Sequence, residues 1–254
     1  MTKQFVNAAS ELLSRRVAGT KAPRLPEELR PTNIEQALEI QVNIIEQRND
    51  SVAGWKCLQP ISEEQYVVAP IFADTISKGA NCALFRDNGK ARVEPEIAFL
   101  LNKDLPANPD GYTEQQINDA IGSCHMALEL MQSRFADDSG AEFYERLADC
   151  LVNQGMYIGP EIDKDTAFSA SNINVSVTQG ETTQNFDGKH PNTMPASPIH
   201  WLIDFMTRRG ATFKAGEAII TGSYCGIVEV EFEKPTLISY DGIGEYKVTF
   251  IENK

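Results

Sequence analysis

Residues 218–251 read AIITGSYCGIVEVEFEKPTLISYDGIGEYKVTFI. Three short β stretches, 218–221, 227–232 and 246–251, lie in this segment. In the second, apolar residues alternate with Glu229, Glu231 and Glu233, the pattern of a strand with one wet face. Strands dominate this half of the chain without a regular βα alternation, which favours a mixed sheet over a doubly wound one. Upstream, Ile173, Val175 and Val177 alternate with Asn174, Ser176 and Thr178 as a further strand, and 93–101 reads as another. The clearest helix places Ser197 as N-cap, Pro198 in the first turn and Gly210 just past the end, enclosing IHWLIDFMTRR. Thr113 and Gln116 open a helix predicted to carry Ile117, Ile121, Cys124 and Leu128. These pieces predict an α+β fold with a mixed sheet.

The first fifty residues differ. Phe5, Val6, Ala9, Leu12, Leu13 and Val17 follow helical spacing up to Gly19, and a stretch with Pro23, Pro26 and Pro31 comes next. A T-x-x-E capping box, Thr32 and Glu35, then starts a second helix with Ile34, Leu38, Gln41 and Ile45. The expected organisation is a helical arm, 1–50, and a mixed-sheet unit, 51–254.

Composition narrows the function classes. The 254 residues are 42% hydrophobic and 23% charged, which excludes a disordered, collagenous or coiled-coil chain. No apolar run approaches the roughly 20 residues of a membrane helix. The opening MTKQFVNAASELLSRR lacks the basic-then-apolar order of a secretory signal, so a cytoplasmic protein is expected. A net charge of −13 with no basic tract argues against nucleic acid as a partner. The five cysteines, Cys57, Cys82, Cys124, Cys150 and Cys225, contain no C-x-x-C and suit free thiols in a reducing compartment.

The chemistry concentrates in Val93-Glu94-Pro95-Glu96-Ile97. On an extended strand Glu94 and Glu96 project side by side, while Pro95 faces away and confines the strand to an edge or a bulge. Two carboxylates flanked by Val93, Ile97, Phe99 and Leu100 repel unless something positive lies between them. The plain alternative is a solvated pair on a wet edge strand. Glu129, the lone acid in Met126-Ala127-Leu128-Glu129-Leu130-Met131, is a third candidate, its alternative being an exposed helix position. Three carboxylates without clustered His or Cys make an all-oxygen site, which suits Mg²⁺ or Mn²⁺ rather than zinc. Lys56, in Gly54-Trp55-Lys56-Cys57, is placed to move protons if it approaches such a cluster, and is otherwise a solvated lysine. Asp74 reads either as an acid partner or as a turn cap. Other searches fail: Gly222-Ser223-Tyr224-Cys225-Gly226 is not G-x-S-x-G, Gly242-Ile243-Gly244 precedes no helix, and His125, His190 and His200 have no metalloprotease spacing.

Taken in order, G-W-K, V-E-P-E-I-A-F, A-L-E-L-M-Q-S-R, H-W-L-I-D-F and I-I-T-G-S, with A-L-E-I-Q near the N-terminus, resemble the 2-keto-4-pentenoate hydratase and 4-oxalocrotonate decarboxylase branch of the fumarylacetoacetate hydrolase superfamily. The resemblance covers nearly the whole chain. It implies a mixed β-roll core over 51–254 as the catalytic domain behind the helical arm. It implies that Glu94, Glu96 and Glu129 ligate one Mg²⁺ or Mn²⁺, that Lys56 is the catalytic lysine with Asp74 working beside it, and that Ser223 lies on the loop closing over the substrate carboxylate. It further implies a homo-oligomer, a dimer or larger ring, and a small anionic 2-oxo or 2-hydroxy acid from aromatic-ring breakdown as substrate.

Two stretches depart from the branch. Cys57-Leu58-Gln59-Pro60 follows the lysine where a Gly and then Thr or Ser is usual, and Asp149-Cys150-Leu151-Val152-Asn153-Gln154-Gly155 stands where hydratases tend to have an Asp-Asn pair followed by small residues, keeping the aspartate but not its neighbour. The expected activity is hydration of a 2-hydroxy-2,4-dienoate. Its alternatives are 4-oxalocrotonate-type decarboxylation, acylpyruvate hydrolysis, and a metal-binding homologue without catalysis.

Overall fold

The computed structural model describes residues 3–17, 20–62 and 64–253. Among these are six helices and thirteen strands. Helices α1 (Lys3–Ser14) and α2 (Ile34–Gln47) form the N-terminal portion. Strands β1 (Val52–Cys57), β2 (Val68–Phe72), β3 (Ile76–Lys78), β4 (Asn81–Leu84) and β5 (Ala91–Leu101) follow. After α3 (Glu114–Asn118) come β6 (Ile121–Met131), α4 (Phe143–Ala148), β7 (Asn153–Ile162) and α5 (Lys164–Ser169). The remainder is β8 (Asn172–Gln179), β9 (Thr182–Lys189), α6 (Ser197–Arg208), β10 (Ala218–Ile220), β11 (Val228–Val230), β12 (Pro235–Tyr240) and β13 (Gly244–Glu252).

The strands form two mixed sheets. The larger runs β2-β1-β10-β5-β6-β7-β3, with β11 also on β5; the smaller runs β4-β13-β12-β8-β9. Parallel pairs, β1 with β10, β3 with β7 and β4 with β13, sit among antiparallel ones, as the missing βα alternation predicted. Tyr240 of β12 joins the sheets: its buried hydroxyl donates to the carbonyls of Glu96 and Ala127, at 2.9 and 3.0 Å.

Strand periodicity explains what each face of the large sheet carries. Val93, Ile97, Phe99 and Leu128 lie in the main buried cluster, which also takes in Phe5, Leu12, Ile40 and Ile44 of α1 and α2. On the other face a smaller cluster, Ile71, Ala98, Ala127, Met156, Ile158, Ala218 and Ile220, forms a floor in which three alanines leave space beside the larger side chains. Both faces carry buried clusters, so charged residues on this sheet are largely withdrawn from bulk water.

Several local expectations shift. The capping box at Thr113 forms, but the helix it opens ends at Asn118, and Ile121, Cys124 and Leu128 belong to β6. The apolar spacing of 121–131 fits helix or strand, and the long ladder to β5 decides for strand. Helix α2 is capped by Asn33, whose side chain accepts from the Gln36 N–H, one position along from Thr32. Ser197 is the first residue of α6 rather than its cap. The end of the first helix at Gly19 lies outside the described residues, and the final turn of α1 is at Ser14.

Gly54 is fixed by close approach. A Cβ there would lie 2.6 Å from the Ala218 carbonyl oxygen on β10, its parallel partner. Gly54→Ala is expected to cost about 1–3 kcal/mol, because β1 must move off β10. Urea denaturation checks this, and an unchanged midpoint would contradict the close packing.

Candidate metal centre

The register of β5 and β6 places Glu94 directly opposite Glu129, with Glu96 two residues on and on the same face. Like charges facing each other across a ladder repel. Oxygens from Glu94, Glu96 and Glu129 nevertheless lie within 4.8 Å of one another, with Glu96 and Glu129 buried and Glu94 half-buried. Lys56 is brought to the same face through the ladders Lys56–Ile220 and Ile220–Ala98. Its Nζ donates to Glu129 Oε1 at 2.6 Å. Asn153 Nδ2 donates to the same oxygen at 3.0 Å, so Glu129 is held from two sides.

Pro95 lies on a central strand, not an edge, but at a gap in its pairing. Strand β11 covers 91–93 and β10 covers 98–100, leaving the β5 edge open between them. A residue without an N–H costs nothing there. The loop between β10 and β11 enters this gap: Tyr224 N–H and Ser223 Oγ donate to the Pro95 carbonyl, at 3.1 and 3.3 Å. The Gly222 N–H donates to Glu96 Oε2 at 2.7 Å. Gly222 has φ of +119°, and a Cβ would lie 2.7 Å from Leu58 and 2.5 Å from Pro191. Only glycine brings the backbone this close to Glu96.

These residues line one cavity of about 380 Å³. One part is polar, with Lys56, Glu94, Glu96, Glu129 and Ser223; the rest is walled largely by Leu58, Val67, Met131, Leu151 and Pro191. Burial and the Glu129 charge push the Glu94 carboxyl up to about 7, against the pull of Lys56 and Arg92. Burial, Glu129 and Glu94 push Glu96 well above the carboxylate range despite the Gly222 N–H. For Lys56, burial acts downward, but the charges of Glu129, Glu94 and Glu96 outweigh it and the net shift is upward. The Cys57 thiol is pushed well up by burial, which leaves it a poor soft ligand.

Three carboxylates and one ammonium sum to −2 when fully ionised, the charge a divalent cation would balance. The donors are all oxygen and suit a hard ion. The residues present therefore fit Mg²⁺ or Mn²⁺.

Five of the six residues singled out in the sequence converge here, and Asp74 does not. Strands β1 and β2 are antiparallel: Lys56 pairs with Ala69, whereas Asp74 lies beyond the other end, where Ala73 N–H donates to the Ser51 carbonyl at 2.9 Å. Asp74 is largely exposed, accepts from Arg48 at 2.6 Å, and lines a different cavity with Arg16, Arg48 and Arg134. The geometry thus removes Asp74 from Lys56. Gly222 and Leu151 were missed as site residues; the T-G-S turn was the only signal for the first, and nothing local marked the second.

No protein-family model matches the chain. The fold is one seen in solved structures of fumarylacetoacetate hydrolase family proteins. Over its full length the chain superposes on 4-oxalocrotonate decarboxylase from Pseudomonas putida G7, complexed with magnesium and adipate, with a TM-score of 0.78, 16% identity and 99% of each chain covered. It also resembles a putative fumarylacetoacetate hydrolase family protein from Yersinia pestis CO92, at a TM-score of 0.52, 19% identity, and 80% and 95% coverage of the two chains. Sequence relatives point to the same branch. A 2-keto-4-pentenoate hydratase of Burkholderia vietnamiensis is 28% identical over 63% of this chain, a match spanning 61% of that relative's length. A 2-hydroxyhexa-2,4-dienoate hydratase of Comamonas testosteroni is 25% identical over 98% of this chain and 99% of its own. Relatives and fold neighbours thus include the hydratase and decarboxylase branch that the motif order resembles.

The carboxyls of Glu94 and Glu96 are both held above the usual range, and a protonated carboxyl cannot ligate, so a cation must displace their protons. Mg²⁺ affinity is expected to fall about tenfold or more for each pH unit below 7. Calorimetric titrations at pH 6, 7 and 8 check this; a flat profile would contradict the site, as would unchanged affinity in Glu94→Gln.

Proposed function

We propose that the chain is a divalent-metal-dependent hydratase that adds water to a 2-hydroxy-2,4-dienoate to give a 4-hydroxy-2-oxo acid. The observation that carries this reading is the cavity itself, a carboxylate cluster with one ammonium at one end and mainly apolar walls at the other. A 2-hydroxypenta-2,4-dienoate has a carboxylate and 2-oxygen at one end and a hydrocarbon tail at the other. The decarboxylase reading requires a substrate with a second, remote carboxylate, and among the described residues lining this cavity Lys56 is the only cation. Burying an unpaired carboxylate against Leu58, Val67 and Met131 is unfavourable. The names of the sequence relatives support the same choice.

Glu94, Glu96 and Glu129 would hold the cation, Mg²⁺ or Mn²⁺, which when bound supplies Lewis-acid stabilisation of the substrate carboxylate and 2-oxygen. Lys56 enters as the ammonium, since the surrounding carboxylates raise its pKa. It gives a proton to C5 as the 2-hydroxyl proton leaves to solvent, producing a conjugated 2-oxo-3-enoate. The amine then takes a proton from the water whose oxygen adds at C4, and C3 is protonated from solvent. Ser223 and the Gly222 turn stand at the polar end, where the substrate carboxylate binds. The local positive charge of cation and Lys56 offsets the −13 of the chain for an anionic ligand. In this reading 51–254 is the catalytic unit and the arm 1–50 buttresses it, with Gln41 donating to the Val68 and Leu147 carbonyls at 3.0 and 2.6 Å. The protein would act in the cytoplasm on products of aromatic-ring breakdown, as a homo-oligomer.

The test is the ultraviolet decay of enzymatically generated 2-hydroxypenta-2,4-dienoate with Mg²⁺ or Mn²⁺, against a chelator control, with products identified by NMR. Metal-dependent formation of 4-hydroxy-2-oxopentanoate is expected, reduced roughly 10²–10⁴-fold in Lys56→Ala. Full turnover in that variant would remove Lys56 from the mechanism, and faster release of CO₂ from 4-oxalocrotonate would favour the decarboxylase.

A further inference from the structure

Between α4 and β7 the backbone does something that L-residues avoid. Cys150, Leu151 and Val152 are consecutive, none is glycine, and all three lie in the left-handed region, with φ of 59°, 50° and 63°. In that conformation the Cβ crowds the following carbonyl, most severely for a β-branched residue such as Val152. Such a turn persists only where its surroundings over-determine it.

The surroundings are buried and ionic. Asp149, immediately before the turn, accepts from Arg134 twice, Nε to Oδ2 at 2.7 Å and Nη2 to the main-chain carbonyl at 2.6 Å. Both side chains are almost wholly buried, 0% and 2% exposed. Arg16 adds a longer bond to the Asp149 carbonyl, at 3.4 Å. Past the turn, the Val152 carbonyl accepts from the Gln132 N–H at 2.8 Å. Breaking one partner of a buried pair leaves a poorly compensated charge, and for Asp149 only the longer Arg16 contact, Nη2 to Oδ1 at 3.8 Å, would remain, so the clamp resists release.

What the turn delivers lies at the carboxylate cluster. The Leu151 carbonyl is 3.4 Å from Lys56 Nζ, and Leu151 forms part of the cavity wall. Asn153, one residue past the turn, donates to Glu129 Oε1. The turn therefore touches both members of the Lys56–Glu129 pair.

We propose that Arg134 and Asp149 are positioning residues, which hold the 150–152 turn in its left-handed form so that Leu151 and Asn153 fix Lys56 and Glu129 for cation binding. The proposal rests on reading Glu94, Glu96 and Glu129 as the cation ligands. It also accounts for the departure at 149–153: the aspartate that grips the turn is present, Cys, Leu and Val occupy the strained positions, and Asn153 reaches Glu129.

A double-mutant cycle tests it, with Mn²⁺ affinity read by electron paramagnetic resonance. Asp149→Asn weakens the clamp and is expected to raise the Mn²⁺ Kd about tenfold or more. Val152→Gly alone makes the turn easier and should leave Kd within about twofold. Glycine needs no clamp to adopt a left-handed conformation, so the double variant should recover most of the lost affinity. The proposal is overturned if Asp149→Asn binds Mn²⁺ like the unsubstituted protein, or if its loss is equally large in both backgrounds. Should Asp149→Asn fail to fold, Arg134→Lys takes its place in the same cycle, since lysine keeps the charge but not the two-pronged grip. Because the readout is cation affinity, absence of hydratase turnover would sink the functional reading and leave this cycle to be judged separately.

Discussion

Glu94 and Glu129 face each other across the β5–β6 ladder, on a sheet covered on both sides, and most of what surrounds them follows from that juxtaposition. Placing Glu96, itself buried, beside them adds a third negative charge where burial weakens solvent screening. The protein meets the repulsion in part with its own groups. Lys56 and Asn153 hold Glu129, the Gly222 N–H holds Glu96, and Glu94 keeps its proton up to about pH 7. What remains is a site two charges short of neutrality when fully ionised, built of oxygens and open to one cavity.

The rest of the large sheet can be understood as support for this arrangement. A floor that includes Ala98, Ala127 and Ala218 gives the glutamates room, while Val93, Ile97 and Phe99 anchor the same strands in the main core from the other face. The pairing gap at Pro95 lets the 221–227 loop approach without competing for a ladder hydrogen bond. Tyr240 ties the second sheet to the carbonyls of Glu96 and Ala127, so the two sheets meet directly behind the cluster. Strain is concentrated at 150–152, beside the site, as is common where backbone geometry serves chemistry.

Much of the centre was legible because its code is local. The two-residue period of a strand is enough to align Glu94 with Glu96, and an acid amid five apolar neighbours marks Glu129 as buried. The helix predicted over 117–128 failed because its apolar spacing suits either structure, and only the pairing with β5 decides. Asp74 was assigned to Lys56 through resemblance; the antiparallel turn-back of β2 carries it to the far end of the ribbon, to Arg48. The Arg134–Asp149 clamp and the left-handed turn leave no local trace, since Cys-Leu-Val carries none of the glycine or asparagine that normally signals positive φ.

A crystal of the protein soaked in Mn²⁺, with the ion located from its X-ray anomalous signal, would show whether the three carboxylates hold a cation. One strong peak is expected, bounded by an oxygen from each of Glu94, Glu96 and Glu129 at about 2.0–2.3 Å, with Lys56 still on Glu129. A peak elsewhere, or none at an ion concentration that saturates the protein in solution, would contradict it.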